Sequence, residues 1–155
     1  EIPFKELNTW IKTEGLELLA EIDVEVPETA TSAMIDSPGD GLLRISFEVT
    51  TQQVQQVITL SFAVDVASDG TLTSTLKRAT AGKLPLPVSA AIEIVASQAD
   101  EGILLDLMQG TPIAAIELPI DTSDTGRDGR LVGLEVTEES LIITRMTVRR
   151  NKNID

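Results

Sequence analysis

The stretch that decides the fold is residues 54–79, which read VQQVITLSFAVDVASDGTLTSTLKRA. Apolar and polar residues alternate over 58–66, which places one row of side chains on each face of an extended strand. The alternation stops at Asp69 and Gly70, a pair that favours a tight turn. A second β-rich run follows over 71–79. The stretch therefore predicts a β-hairpin with a long first strand and one buried face.

The same period of two recurs in other parts of the chain, separated by polar segments that we interpret as loops over 27–41 and 121–130. Further strands are predicted over 22–26, 43–49, 113–120, 131–136 and 141–149. The last two are joined by only four residues, which indicates a second hairpin. Strands connected by such short turns favour an antiparallel sheet.

Two segments carry the spacing of an amphipathic helix. The first covers 3–14 and places Phe4, Leu7, Trp10 and Ile11 on one stripe, so Trp10 is expected in the core. The second begins near Pro87, after a segment whose two prolines exclude a central strand. Its apolar stripe is formed by Val88, Ala91, Ile92, Val95 and Ala99. This helix either ends near Gly102 or continues through Leu104 and Met108 to Gly110.

Taken together, these patterns predict one α+β domain over residues 1–155. We expect one curved antiparallel β-sheet of about six or seven strands, wrapped around or packed by two α-helices. At this length the chain buries a core without disulfides or metals.

Composition excludes several classes of chemistry. The chain has no Cys and no His, which removes thiol nucleophiles, Ser-His-Asp triads and zinc sites built on those residues. We expect no catalytic residues, no metal and no cofactor. The net charge of −13 disfavours nucleic acid as a partner. The basic residues near the end of the chain are interpreted as a solvated strand end. They are Arg145, Arg149, Arg150 and Lys152.

Short motifs that resemble known sites have simpler interpretations. The triplet Asp124-Thr125-Gly126 matches that of aspartic proteases, but it lies in a polar segment and not after an apolar strand. The same segment fails as a calcium loop, because Val132 stands where a bidentate Glu belongs. Lys83 is expected to be a solvated loop lysine. For Asn8 two interpretations stay open: an exposed helical residue, or a hydrogen bond to the end of a strand.

The order of these parts resembles a family of bacterial envelope proteins, the YpmS-like, LmeA-like and YceB-like proteins. Two short motifs carry the resemblance: Glu6-Leu7-Asn8 in the opening helix, and residues 82–87, Gly-Lys-Leu-Pro-Leu-Pro, before the second helix. Members of that family resemble single tubular lipid-binding (TULIP-type) modules. The resemblance implies a strongly curved antiparallel sheet around a helix, and a membrane anchor upstream of the domain.

The function implied is non-enzymatic binding of a lipid or other apolar ligand between a curved sheet and a helix. The expected lining residues are Leu60, Phe62, Val64, Ile92, Val95, Leu104 and Met108. The alternative is a structural or protein-interaction domain of the bacterial envelope with a filled core and no ligand. The expected location is extracytoplasmic, with tethering to the membrane through a segment upstream of residue 1. The sequence leaves the oligomeric state open and does not exclude a cytoplasmic location.

Overall fold

The computed structural model describes residues 1–15, 33–51, 54–97, 103–114 and 129–147. The predicted α+β class is confirmed, with antiparallel strands in two sheets and helices beside them. The described strands are β1 (Ile2–Pro3), β2 (Met34–Asp36), β3 (Leu43–Thr51), β4 (Val54–Val66), β5 (Thr71–Ala81), β6 (Leu84–Leu86), β7 (Ile113–Ala114), β8 (Gly129–Val136) and β9 (Ser140–Thr147). The described α-helices are α1 (Phe4–Trp10), α2 (Val88–Ala96) and α3 (Ile103–Gln109).

The larger sheet has six strands in the order β2-β3-β4-β5-β6, and β7 pairs with the beginning of β5. Its centre is β4, which ends at Val66, where the alternation ends, and begins at Val54, four residues before the alternation. The predicted hairpin is also present: the N–H of Gly70 donates to the Ala67 carbonyl at 2.8 Å. Gly70 has a φ of +86°, a conformation that glycine adopts without steric cost.

A β-bulge lies where β5 pairs with β4. Ser61 pairs with Arg78 and Phe62 pairs with Leu76, so Lys77 is an extra residue on β5. The bulge shifts the alternation of β5 by one position. Leu76 and Ala79 are three positions apart, so in a regular strand they would point to opposite faces. The bulge places both on the same face, and both are buried.

The smaller sheet has the order β1-β9-β8 and contains the second predicted hairpin. The turn of this hairpin is closed by Thr137, whose N–H donates to the Ser140 carbonyl at 2.9 Å. The Ser140 hydroxyl donates to the Glu1 carboxylate at 2.9 Å, which fastens the beginning of the chain to this turn. The expectation of a single sheet is therefore wrong, because β9 pairs with the N-terminal β1 and not with the larger sheet.

Helix α1 begins after Pro3, and a π-helical turn continues it over Ile11–Gly15. The first predicted helix is thus confirmed, but the prediction that Trp10 belongs to the core is wrong. Phe4 is buried, whereas Trp10 is 38% exposed. The helix lies beside the edge strand β2, and of its seven residues only Phe4 is buried.

The second predicted helical segment contains two described helices, α2 and α3. Residues 98–102, with Ala99 and Gly102, lie outside the described residues, and α3 ends before Gly110, which has a φ of +75°. An αL glycine at this position is a common helix ending.

Some predicted loops and strands differ from the structure, and one predicted strand lies outside the described residues. The loop predicted over 27–41 contains β2, and the loop predicted over 121–130 contains the first two residues of β8. Only β7 is described within 113–120. The strand predicted over 22–26 lies outside the described residues.

Candidate functional site

The candidate site is the face of the six-stranded sheet that the helices cover, called here the inner face. Along β4 it carries Ile58, Leu60, Phe62 and Val64. Cross-strand pairing places Ile45 opposite Leu60 on one side and Ala79 opposite Leu60 on the other. The alternation in the sequence and the bulge in β5 therefore combine to make one continuous apolar surface.

Helices α2 and α3 pack on this surface. The stripe of α2 places Val88, Ala91, Ile92 and Val95 against the buried cluster, and Ala91 is only 1% exposed. The small side chain of Ala91 lets the helix approach the sheet closely. The predicted helical stripe is therefore the surface that faces the sheet.

Helix α3 is fastened to β5 by Ser74. The Ser74 hydroxyl donates a hydrogen bond to the carbonyl of Leu107, and the Ser74 side chain is almost completely buried. A Cβ atom at Gly110 would lie 3.3 Å from the Ser74 carbonyl oxygen, so glycine permits the close approach at the end of α3. This contact holds Leu107 and Met108 on the inner face.

The residues predicted to line a ligand site occur together in this cluster. Leu60, Phe62 and Met108 are buried in it, and Val64, Ile92 and Val95 are half-buried against it. Leu104 lies in α3, but its side chain is outside the described part of the chain. The structure thus brings six of the seven predicted side chains to one place.

Several members of the cluster were not among the predicted lining residues. They are Ile45, Phe47, Val49, Leu76, Ala79 and Leu107. The β3 members follow the period of two and carry a signal that the sequence contains. Leu76 and Ala79 carry no such signal, because their common face depends on the bulge.

The opposite face of the sheet, called the outer face, carries most of the polar side chains of these strands, with Met34 and Val57 exposed among them. Arg44 donates two hydrogen bonds to the Asp36 carboxylate, both at 2.6 Å. These hydrogen bonds raise the pKa of the Arg44 guanidinium; partial burial opposes the shift, while the charges of Asp36 and Asp40 support it. The hydroxyls of Ser46 and Thr59 lie 3.1 Å apart on the same face.

The remaining candidate residues from the sequence are Lys83, Arg145, Asn8 and those of the segments 124–126 and 149–152. Lys83 is exposed at the turn before β6, and Arg145 is exposed on β9, as predicted. Asn8 is not merely an exposed helical residue: it forms hydrogen bonds to a strand, but at Ile35, the middle residue of β2, and not at a strand end. The protease-like triplet 124–126 and the basic residues 149–152 lie outside the described residues.

Across the described ranges, no group of acidic side chains is arranged to hold a metal ion. No helix in the described part of the chain is both long and apolar enough to span a bilayer. Comparison with known proteins finds no matching protein-family model, no matching curated protein and no matching solved structure.

Proposed function

We propose that this chain is a non-enzymatic module that binds a lipid acyl chain or another apolar ligand at the rim of the inner-face cluster. The rim is defined as the half-buried side chains Val64, Ile92 and Val95. The observation that supports the proposal is their position: they pack against the buried cluster yet keep surface that solvent reaches. A ligand placed there extends an existing core.

The chemistry of the inner face favours an apolar ligand over a polar one. Among the described residues of the inner face, the buried polar side chain is that of Ser74. The Ser74 hydroxyl already donates a hydrogen bond to the Leu107 carbonyl. A polar ligand would therefore lose hydrogen bonds to water and gain none at the rim. An alkyl chain has no hydrogen bonds to water to lose, and it gains about 0.8 kcal/mol for each methylene that it buries.

The centre of the cluster limits where a ligand can bind. Leu60 has no exposed surface and Phe62 is 2% exposed, so protein side chains fill the middle of the inner face. The ligand in this proposal lies along the side of α2 and not beneath it. The resemblance to YpmS-like envelope proteins and the extracytoplasmic, membrane-tethered setting belong to this proposal as predictions from the sequence.

The filled centre also supports a second candidate, a structural or protein-interaction domain that binds no ligand. In that case the half-buried rim is ordinary packing at the border of a core. The two candidates differ in one respect: only the first requires the rim to bind a free apolar molecule.

The experiment uses palmitate as the probe and native mass spectrometry as the measurement, on protein freed of bound lipid. We expect the unchanged chain to bind palmitate and Ile92→Glu to lose binding by about tenfold or more, because a carboxylate at the rim would be desolvated by the ligand. Ser89→Glu is the matched control. It adds the same charge to the exposed side of α2 and should bind as the unchanged chain does.

Circular dichroism of each variant checks that the fold is kept, and Val95→Gln replaces Ile92→Glu if the latter unfolds. Absence of palmitate binding by the unchanged chain would contradict the proposal and favour the domain with a filled core. Equal binding by all variants would mean that palmitate binds somewhere other than the rim.

A further inference from the structure

A row of three hydrogen-bond donors crosses the outer face of the six-stranded sheet at Ser61. Leu60 and Phe62 belong to the inner face, so Ser61, which lies between them on β4, points to the outer face. Strand pairing sets Ser61 directly between Arg44 of β3 and Arg78 of β5. The three side chains therefore start from adjacent strands that are about 4.8 Å apart.

The hydroxyl in the middle of this row is buried and unpaired. Ser61 is only 9% exposed, and its hydroxyl has no hydrogen-bond partner among the described residues. A buried polar group without a partner costs free energy, and folded proteins pair nearly all such groups. The Ser61 hydroxyl therefore points to an acceptor that the described part of the chain does not supply.

The carboxylate of Asp40, in the loop between β2 and β3, lies beside the row. Its Oδ2 is 3.4 Å from Nη1 of Arg78. The pKa of Arg44 is raised mainly by the hydrogen bonds to Asp36; burial opposes the shift, and the charges of Asp36 and Asp40 add to it. Asp40 is thus close to both arginines, and the row already attracts one anionic group of the chain.

This carboxylate uses only part of the row. Oδ1 of Asp40 accepts a hydrogen bond from the Leu42 N–H at 3.1 Å and Oδ2 faces Arg78, so neither oxygen bonds to Ser61. Arg44 uses Nε and Nη2 in its own ion pair, and its Nη1 has no partner within the described ranges. An anion with three or more oxygens can accept hydrogen bonds from all three side chains at once, which a carboxylate cannot.

We propose that Arg44, Ser61 and Arg78 form a binding site for an oxyanion of the phosphate type, and that the Asp40 carboxylate competes with this anion for Arg78. The competing contact is weak, because 3.4 Å is long for an ion pair and the two side chains are 70% and 33% exposed. The site lies on the face opposite the rim. It therefore does not depend on the apolar ligand proposed above, and each proposal can fail without the other.

The test titrates the full chain with inorganic phosphate at low salt and follows proton–nitrogen NMR correlation spectra. We expect the amide signals of Arg44, Ser61 and Arg78 to shift. Arg78→Gln should weaken binding by about tenfold or more and Ser61→Ala by about threefold to tenfold, because each variant removes one donor. Lys83→Gln is the matched control: it removes the same charge from an exposed turn and should bind as the unchanged chain does.

Asp40→Asn tests the competition. Asparagine keeps an acceptor for the Leu42 N–H, so the turn of the loop is kept, but it removes the charge that faces Arg78. Phosphate should therefore bind Asp40→Asn about twofold to tenfold more tightly than it binds the unchanged chain. Equal or weaker binding would mean that Asp40 does not compete, and it would overturn the proposal.

The net charge of −13 repels anions from the surface as a whole, so binding must come from local donors. Equal losses in Arg78→Gln and Lys83→Gln would indicate diffuse attraction and overturn the site. Absence of shifts in both the unchanged chain and Asp40→Asn would also overturn it, whereas shifts in Asp40→Asn alone would support it as a site that Asp40 masks. Circular dichroism checks each fold, and if Arg78→Gln unfolds, the comparison of Ser61→Ala with Lys83→Gln decides.

Discussion

The two faces of the six-stranded sheet are made from alternate residues of the same strands, yet they are stabilised in different ways. On β4 the inner face carries Leu60 and Phe62, which are fully enclosed, whereas the outer face carries Thr59, which bonds to the hydroxyl of Ser46. The inner face depends on shape and volume, since tightly packed side chains leave no room to adjust. The outer face depends on half-buried polar contacts, which water can partly replace. Stability should therefore be concentrated on the inner face, at whose border we propose that an apolar ligand binds.

The largest effect is expected from Phe62→Ala. The substitution removes a side chain that is 2% exposed at the centre of the inner face and should lower the free energy of unfolding by about 3–5 kcal/mol. Urea denaturation measures the loss. Thr59→Ala, on the same strand and the opposite face, is the matched control and should lose less than about 1.5 kcal/mol. Equal losses would remove the distinction between the faces.

The strand pattern of the inner face could be predicted because its signals are local. The end of β4 follows from the alternation over 58–66, and the following turn follows from Asp69 and Gly70. The helical stripe of α2 is local in the same sense. Spacing therefore predicts that most of the residues which the resemblance suggests as a lining lie on buried faces.

Features that depend on distant partners could not be predicted. The extra residue Lys77 in β5 is defined only by pairing with β4, so the sequence hides that Leu76 and Ala79 share a face. The division into two sheets depends on β1 pairing with β9 across almost the whole chain. Trp10 has the helical spacing of a core residue. However, α1 lies beside the edge strand β2, which leaves Trp10 38% exposed.

An intermediate effect is expected from Gly110→Ala, which tests how the helices are fastened over the inner face. A φ of +75° costs a residue with a Cβ atom about 1–2 kcal/mol, and the new atom would also lie 3.3 Å from the Ser74 carbonyl. The loss of unfolding free energy is measured by urea denaturation. Gly41→Ala is the control: it has a φ of +76° and no atom within 4 Å of the added Cβ.

The difference between these two glycine variants isolates the contact of α3 with β5. Gly110→Ala should be the more destabilising of the two, because it adds a steric contact to the same backbone strain. If Gly41→Ala costs as much or more, α3 adjusts freely at this point, and the inner face is less rigidly covered than its packing suggests.

The smallest effect is expected on the outer face, from Asp36→Asn. The substitution removes the charge that faces Arg44, but the two side chains are 29% and 35% exposed, so solvent screens much of their attraction. We expect a loss of at most about 1 kcal/mol, which should shrink further in high salt. Urea denaturation at low and high salt measures both quantities.

The pH dependence of this ion pair follows from the sign of the shift. Because the folded state raises the pKa of Arg44, the part of the stabilisation that comes from the charged guanidinium is lost only as the pH rises through that pKa, at strongly alkaline pH. The Arg44 guanidinium should therefore add no slope to stability across the neutral range. If Asp36→Asn costs as much as Phe62→Ala and the cost is independent of salt, the outer face contributes to the fold as the inner face does. The contrast in stability between the two faces would then no longer support the rim as the place where an apolar ligand binds.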